Sequence, residues 1–155
     1  MLSKQELDAA LAAERAMYRA LSEVQDITRE LLDAVDRQDQ VSVRLFLSMR
    51  QEQINQLRDQ KELLKKQCGG LPKEEGDLLR QILSGKKPAG VEGEALSLQV
   101  ERNRALLERT LQADKALSRR LAGRESFYQK LSQAAVWWKK ALCRHLAGRG
   151  SLMSF

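Results

Sequence analysis

Residues 1–68 contain no glycine and no proline, and that one feature restricts the chain's options most. Residues 69–93 then hold six of the nine glycines and both prolines, Pro72 and Pro88. Residues 94–122 again hold neither. Glycine interrupts helices by its backbone entropy, and proline by its missing N–H and its ring. The distribution therefore predicts a long helical first half, a broken middle and a helical second half.

The apolar residues give the helices their faces. Leu7, Leu11, Met17, Leu21, Val24, Leu31 and Val35 recur in steps of three and four, with Glu14 and Thr28 at the interrupting positions. That is the period of one helix face. Ser3 with Glu6 matches the capping box, in which each side chain satisfies an orphan N–H at the helix start. A second stripe runs Val43, Leu47, Ile54, Leu57, Leu64, Cys68, interrupted by Arg50 and Lys61. It is out of phase with the first. Extending the first stripe lands on Asp39, Ser42, Phe46, Met49 and Gln53, a poorer face. A turn near Asp36–Asp39 is therefore expected, with Asp36 or Asp39 as N-cap. The two helices on either side form an antiparallel pair roughly 45–50 Å long at about 1.5 Å per residue. A single continuous helix to Cys68 is the alternative, because no glycine enforces the turn.

Cys68-Gly69-Gly70-Leu71-Pro72 reads as a glycine-capped stop followed by proline. A short helix over about 73–84 carries Leu78, Leu79, Ile82 and Leu83. Residues 85–90 read as a loop. A long helix is expected over about 92–122, with Leu96, Val100, Leu107, Leu117 and Leu121 on its stripe, and Asn103, Thr110 and Asp114 interrupting it. The expected fold class is all-α: a long antiparallel helical hairpin or coiled coil extended to a bundle over residues 1–122. A basic amphipathic C-terminal helix over 123–155 completes it. Composition agrees, since aromatics are only 5% and charged residues 31%. Sheet folds need more β-branched and aromatic residues.

The +6 net charge is uneven. Residues 119–149 hold eight Lys and Arg against Glu125 alone, a net +7, so the rest of the chain sums to −1. In this segment Phe127, Leu131, Ala134, Trp138 and Leu142 recur at helical spacing, with Trp137 and Val136 alongside. Three readings follow. The segment could touch phosphates, although no helix-turn-helix or finger pattern accompanies it. It could lie on an anionic membrane. The better-supported reading is docking of a partner protein's helix, with Phe127, Leu131, Trp137, Trp138 and Leu142 as contacts. Arg124, Lys130, Lys139, Lys140 and Arg144 then steer an acidic partner. The plain alternative is that the tryptophans fill the bundle core. Neighbours on a helix sit about 100° apart, so only one of the two is expected to be fully buried.

Chemistry is hard to assemble from these residues, and no catalytic residue, metal or cofactor is expected. His145 is the only histidine, and Cys143, two positions away, points elsewhere on a helix. Cys68 and Cys143 have no metal-ligand spacing, and two cysteines suit a reduced compartment. Gly69-Gly70 and the glycines at 90 and 93 lack a phosphate-binding pattern and read as turn residues. Glu14 and Asp114 suggest buried carboxylates or, more simply, boundary positions or pairs with Arg or Lys across the bundle. Asn103 is either a buried register-fixing amide or a boundary residue. The first residues hold no apolar signal-peptide core, and no run of 18 apolar residues occurs, so a cytoplasmic protein is expected.

The organisation resembles the FlgN-like family of bacterial flagellar export chaperones. The resemblance rests on the long hairpin, on Arg50-Gln51-Glu52-Gln53-Ile54-Asn55-Gln56-Leu57, and on Val100-Glu101-Arg102-Asn103-Arg104-Ala105-Leu106-Leu107 with its Asn-x-x-Leu-Leu stretch. It covers roughly residues 5–120. It implies a small cytosolic chaperone that keeps hook-associated subunits from premature assembly and delivers them for export. In that family the C-terminal helical region takes the cargo, and the matching positions here are Phe127, Leu131, Trp138 and Leu142, with Trp137 beside them. Family members are commonly acidic, whereas this segment is basic. The other functional expectations are a self-associating coiled-coil component, and an accessory factor for nucleic acid or membrane.

Overall fold

The computed structural model describes residues 2–88 and 90–122. Among them are four α-helices and no strand. Helix α1 spans Lys4–Asp36, α2 Gln40–Gly70, α3 Lys73–Leu83 and α4 Glu94–Ala122, with a single 3-10 turn at Val91–Gly93 before α4. The all-α class and the long antiparallel hairpin are as the sequence predicts. The expected C-terminal helix lies outside the described residues.

Helix α1 begins as expected: Glu6 N–H donates to Ser3 Oγ at 3.1 Å, and Ser3 N–H donates to Glu6 Oε2 at 3.0 Å. It ends without glycine. Gln38 takes up the left-handed region at φ 58°, its N–H donates to the Val35 carbonyl, and Asp39 N–H donates to the Ala34 carbonyl. This is a Schellman end with glutamine where glycine is usual. Asp39 then caps α2, accepting from the Ser42 N–H at 3.1 Å and the Ser42 hydroxyl at 2.6 Å. These two donors hold the Asp39 carboxyl below the usual range. Gln38→Gly is expected to raise stability by about 1 kcal/mol, the cost of a side chain in that region. Urea unfolding checks it, and an unchanged midpoint would mean the turn stores no such strain.

The stop after α2 differs from expectation. Gly69 and Gly70 are helical, and the cap is Leu71 in an extended conformation, φ −90° and ψ 156°. Pro72 explains it, because its ring pushes the preceding residue out of the helical region. The true glycine cap comes one helix later. Gly85, at φ 101°, closes α3 while Lys86 N–H donates back to the Gln81 carbonyl. Gly76 serves another purpose: a Cβ there would lie 2.7 Å from the Cys68 carbonyl oxygen, so glycine lets α3 press against the end of α2.

Helix α1 is the centre of the bundle and packs extensively on both α2 and α4. Its buried set is accordingly wider than one stripe. Ala10, Ala13, Ala20, Ile27 and Ala34 join the predicted positions, of which Leu11 alone is only half-buried, and the alanines permit close approach. In α2 the buried set is the predicted stripe, Val43 to Cys68 with Arg50 and Lys61 included. In α4 all eight predicted positions are buried, joined by Ser97, Gln99 and Leu106. Gln67 Nε2 donates to the Glu6 carbonyl, which fixes α2 antiparallel to α1. Asn103 meets Glu14, and Arg120 meets Asp36, so α4 runs parallel to α1.

Candidate functional site: buried polar layers and an outward hairpin face

The residues expected to contact or steer a partner, Phe127, Leu131, Trp137, Trp138 and Leu142 with Arg124, Lys130, Lys139, Lys140 and Arg144, all lie outside the described residues. So do Cys143 and His145. What the described helices position is polar chemistry inside the bundle and apolar surface outside it.

The first polar layer joins α1 to α4. Asn103 is fully buried and its Nδ2 donates to the Glu14 carbonyl at 2.9 Å and to Glu14 Oε2. Gln99 Nε2 in turn donates to Asn103 Oδ1 at 3.1 Å. The Glu14 side chain is also fully buried, and its Oε1 has no hydrogen-bond partner. Burial dominates its titration and raises the carboxyl from the ordinary 4.5 to about 7, with the Asn103 hydrogen bond opposing. Of the two readings of Asn103, the buried amide is the correct one. Glu14 is a buried carboxylate that pairs with an amide rather than with Arg or Lys.

The second layer joins α2 to α4. Arg50 Nη2 donates to Asp114 Oδ1 at 2.8 Å, with both side chains at most 1% exposed. Desolvation pulls the guanidinium below its usual value and Asp114 opposes it. A guanidinium starts so high that it stays charged. Asp114 therefore pairs with arginine across the bundle, one of the sequence-level readings. Lys61 lies farther along the α2 stripe, and burial is the main cause of its lowered ammonium.

Two threonines complete the polar interior without crossing between helices. Thr28 Oγ1 donates to the Val24 carbonyl and Thr110 Oγ1 to the Leu106 carbonyl, each four residues back. These bonds satisfy hydroxyls that would otherwise be buried unpaired.

These layers link α4 to α1 at Glu14 and to α2 at Arg50. Glu14 and Asp114 are closed off from solvent. Cys68 is buried and its thiol is pushed up by that burial, away from reactivity. An open recess of about 500 Å³ at the start of α1 is lined by Leu2, Ser3, Lys4, Leu7, Asp8 and Glu92. Among the described residues no three His, Cys, Asp or Glu side chains are grouped to hold a metal, and no helix is long and apolar enough to cross a membrane.

The feature that reading the stripes missed lies on the outside of α2. Val41, Leu45 and Met49 are 80%, 56% and 39% exposed, one helical turn apart. Their signal was a second apolar phase inside α2, which the cleaner buried phase obscured. No protein-family model matches this chain, and neither does any curated protein or any solved structure.

Proposed function

We propose that this protein is an export chaperone or adaptor of the cytoplasm. It binds a helical segment of a flagellar hook-associated-type protein and prevents its premature assembly. The observation that carries the reading is how the apolar residues are divided. The stripes of α1, α2 and α4 are buried against one another in one core, so partner binding falls to apolar residues additional to those stripes. The sequence holds such residues at helical spacing in Phe127, Leu131, Trp138 and Leu142. An amphipathic face flanked by Arg and Lys suits a helix that would otherwise self-associate, and it requires no catalytic group. The resemblance to flagellar export chaperones names the cargo class.

The test is binding of purified hook-associated proteins by the full chain. Trp138→Ala and Leu131→Glu should each weaken binding about thirtyfold or more, the mark of a hot-spot residue worth about 2 kcal/mol. The helical circular dichroism of both variants should match the parent. If the variants unfold, those side chains belong to the core. If the parent protein binds no hook-associated protein, the reading is wrong.

A further inference from the structure

The exposed apolar residues of α2 sit in a specific electrostatic setting. The α1–α2 turn at residues 37–39 and the Gln67–Glu6 hydrogen bond set the antiparallel register. Residues 23–33 of α1 are therefore level with about 41–51 of α2. Across 23–36 the exposed side chains include Glu23, Asp26, Glu30, Asp33 and Asp36 against Arg29 alone, a net −4. At that end of the hairpin α2 presents three exposed apolar side chains and α1 an acidic strip at the same level, with Arg37 and Arg44 also exposed there. Neither group belongs to the core.

The chain supplies its own complement at that end. Arg120 Nη1 donates to Asp36 Oδ2 at 2.7 Å, so α4 finishes beside the α1–α2 turn, with Ala122 two residues further on. Thirty-three residues follow, beginning with Gly123. They hold six Lys and Arg against Glu125 alone, and apolar residues at the spacing α2 presents. If Phe127 is set beside Val41, then Leu131 falls beside Leu45 and Ala135 beside Met49, because both series step by four. We propose that the outward face of the α1–α2 hairpin, Val41, Leu45 and Met49 with the acidic strip of α1, is the docking surface for the chain's own residues 124–146.

Proximity favours this occupant. A segment tethered within a few residues of its surface acts at an effective concentration on the order of millimolar. Its cations are opposite in sign to the strip, and salt screens that attraction progressively, the Debye length falling from about 8 Å at 0.15 M to about 3 Å at 1 M ionic strength. A second copy of the hairpin face would bring the same carboxylates without a basic complement. The docking does not depend on the proposed export role, although any partner of residues 124–146 would have to displace it.

Both tryptophans of the chain, Trp137 and Trp138, lie in the proposed segment, so fluorescence of the full chain without any partner reads the docking directly. The same offset brings Trp137 and Trp138 level with Gln51 and Glu52, just past Met49, so the parent protein should show partly shielded tryptophan, with emission short of the solvent value and reduced iodide quenching. Val41→Glu/Leu45→Glu should shift emission toward that of solvent-exposed tryptophan and raise quenching several-fold. These side chains are exposed, so the bundle should still unfold cooperatively. Glu23→Lys/Glu30→Lys should give a shift in the same direction, as should 1 M salt. Solvent-like emission in the parent, or emission unchanged in both variants, would overturn the proposal. A shift that follows protein dilution, together with a dimer in sedimentation that Leu45→Glu dissolves, would assign the face to a second copy and overturn it equally. Binding to hook-associated proteins is measured separately, so either reading can fail while the other stands.

Discussion

Asp114→Ala should lower unfolding free energy by about 3–5 kcal/mol, because it leaves the Arg50 charge in the core without its carboxylate. Two charges taken out of water carry a desolvation cost of several kcal/mol each, and their mutual attraction offsets that cost only while both are present. Replacing both partners tests this asymmetry. Arg50→Met/Asp114→Leu should come out near the parent or up to about 4 kcal/mol more stable, since the volume is kept and both desolvation terms vanish. Denaturant unfolding of the two single variants and the double variant closes the cycle. A single variant that loses less than about 1 kcal/mol would place the pair in water rather than in the core. The layer's use is then orientation: it holds α4 at one height on α2.

The second large effect depends on pH. Glu14→Gln should stabilise the protein by about 3 kcal/mol at pH 8 and by progressively less as pH falls, with no ionisation gain left below about 4.5. The unfolded chain releases this proton near 4.5, whereas the folded chain holds it to about 7. Between those values the folded state binds the extra proton, so raising the pH favours unfolding. Above 7 both states are ionised and the loss is complete. Below 4.5 both are protonated and the loss is absent. Glutamine keeps the oxygen that accepts from Asn103 and cannot ionise. Any cost from its added N–H groups is the same at every pH, so the slope is the diagnostic quantity. Unfolding free energies of both proteins at pH 4.5, 5.5, 7 and 8 measure it, and a difference that stays constant across that range would contradict a buried, uncharged Glu14.

Both predictions concern residues visible in the sequence as interruptions. Glu14, Arg50, Asn103 and Asp114 each break an apolar stripe, and the period alone places them toward the core. Periodicity works here because a helix presents one face to its neighbours, and residues at steps of three and four share it. The same logic finds the turn at 37–39 from a phase change, although nothing marked Gln38 as the residue in the left-handed region. Matching of partners was not legible. Arg50 and Asp114 are 64 positions apart, and no local rule says which polar side chain of one stripe faces which of another. The wide buried face of α1 was also missed, because alanine carries little signal in a stripe read from large residues. Gly69 and Gly70 misled for a related reason: glycine permits a helix end, but here Pro72 imposes it one residue later. The outward phase on α2 went unread because two phases on one helix compete, and the buried one had more members.

The topology also imposes an order of assembly. Helices α1 and α2 meet across a three-residue turn, whereas the links from α4 to α1 span 84 and 89 positions. Closing a short loop costs little chain entropy, and a long one must be closed before its contacts reward it. The hairpin therefore has a head start during synthesis, at a stage when Asn103 and Asp114 have not been made. In that interval Glu14 and Arg50 remain hydrated, and the apolar flank of α1 that will receive α4 is open to any other helix nearby. Arrival of α4 both dries the interior and removes that opportunity for misassembly. The two polar layers act as the check on its arrival, because an α4 displaced by one turn would bury four polar side chains without their partners.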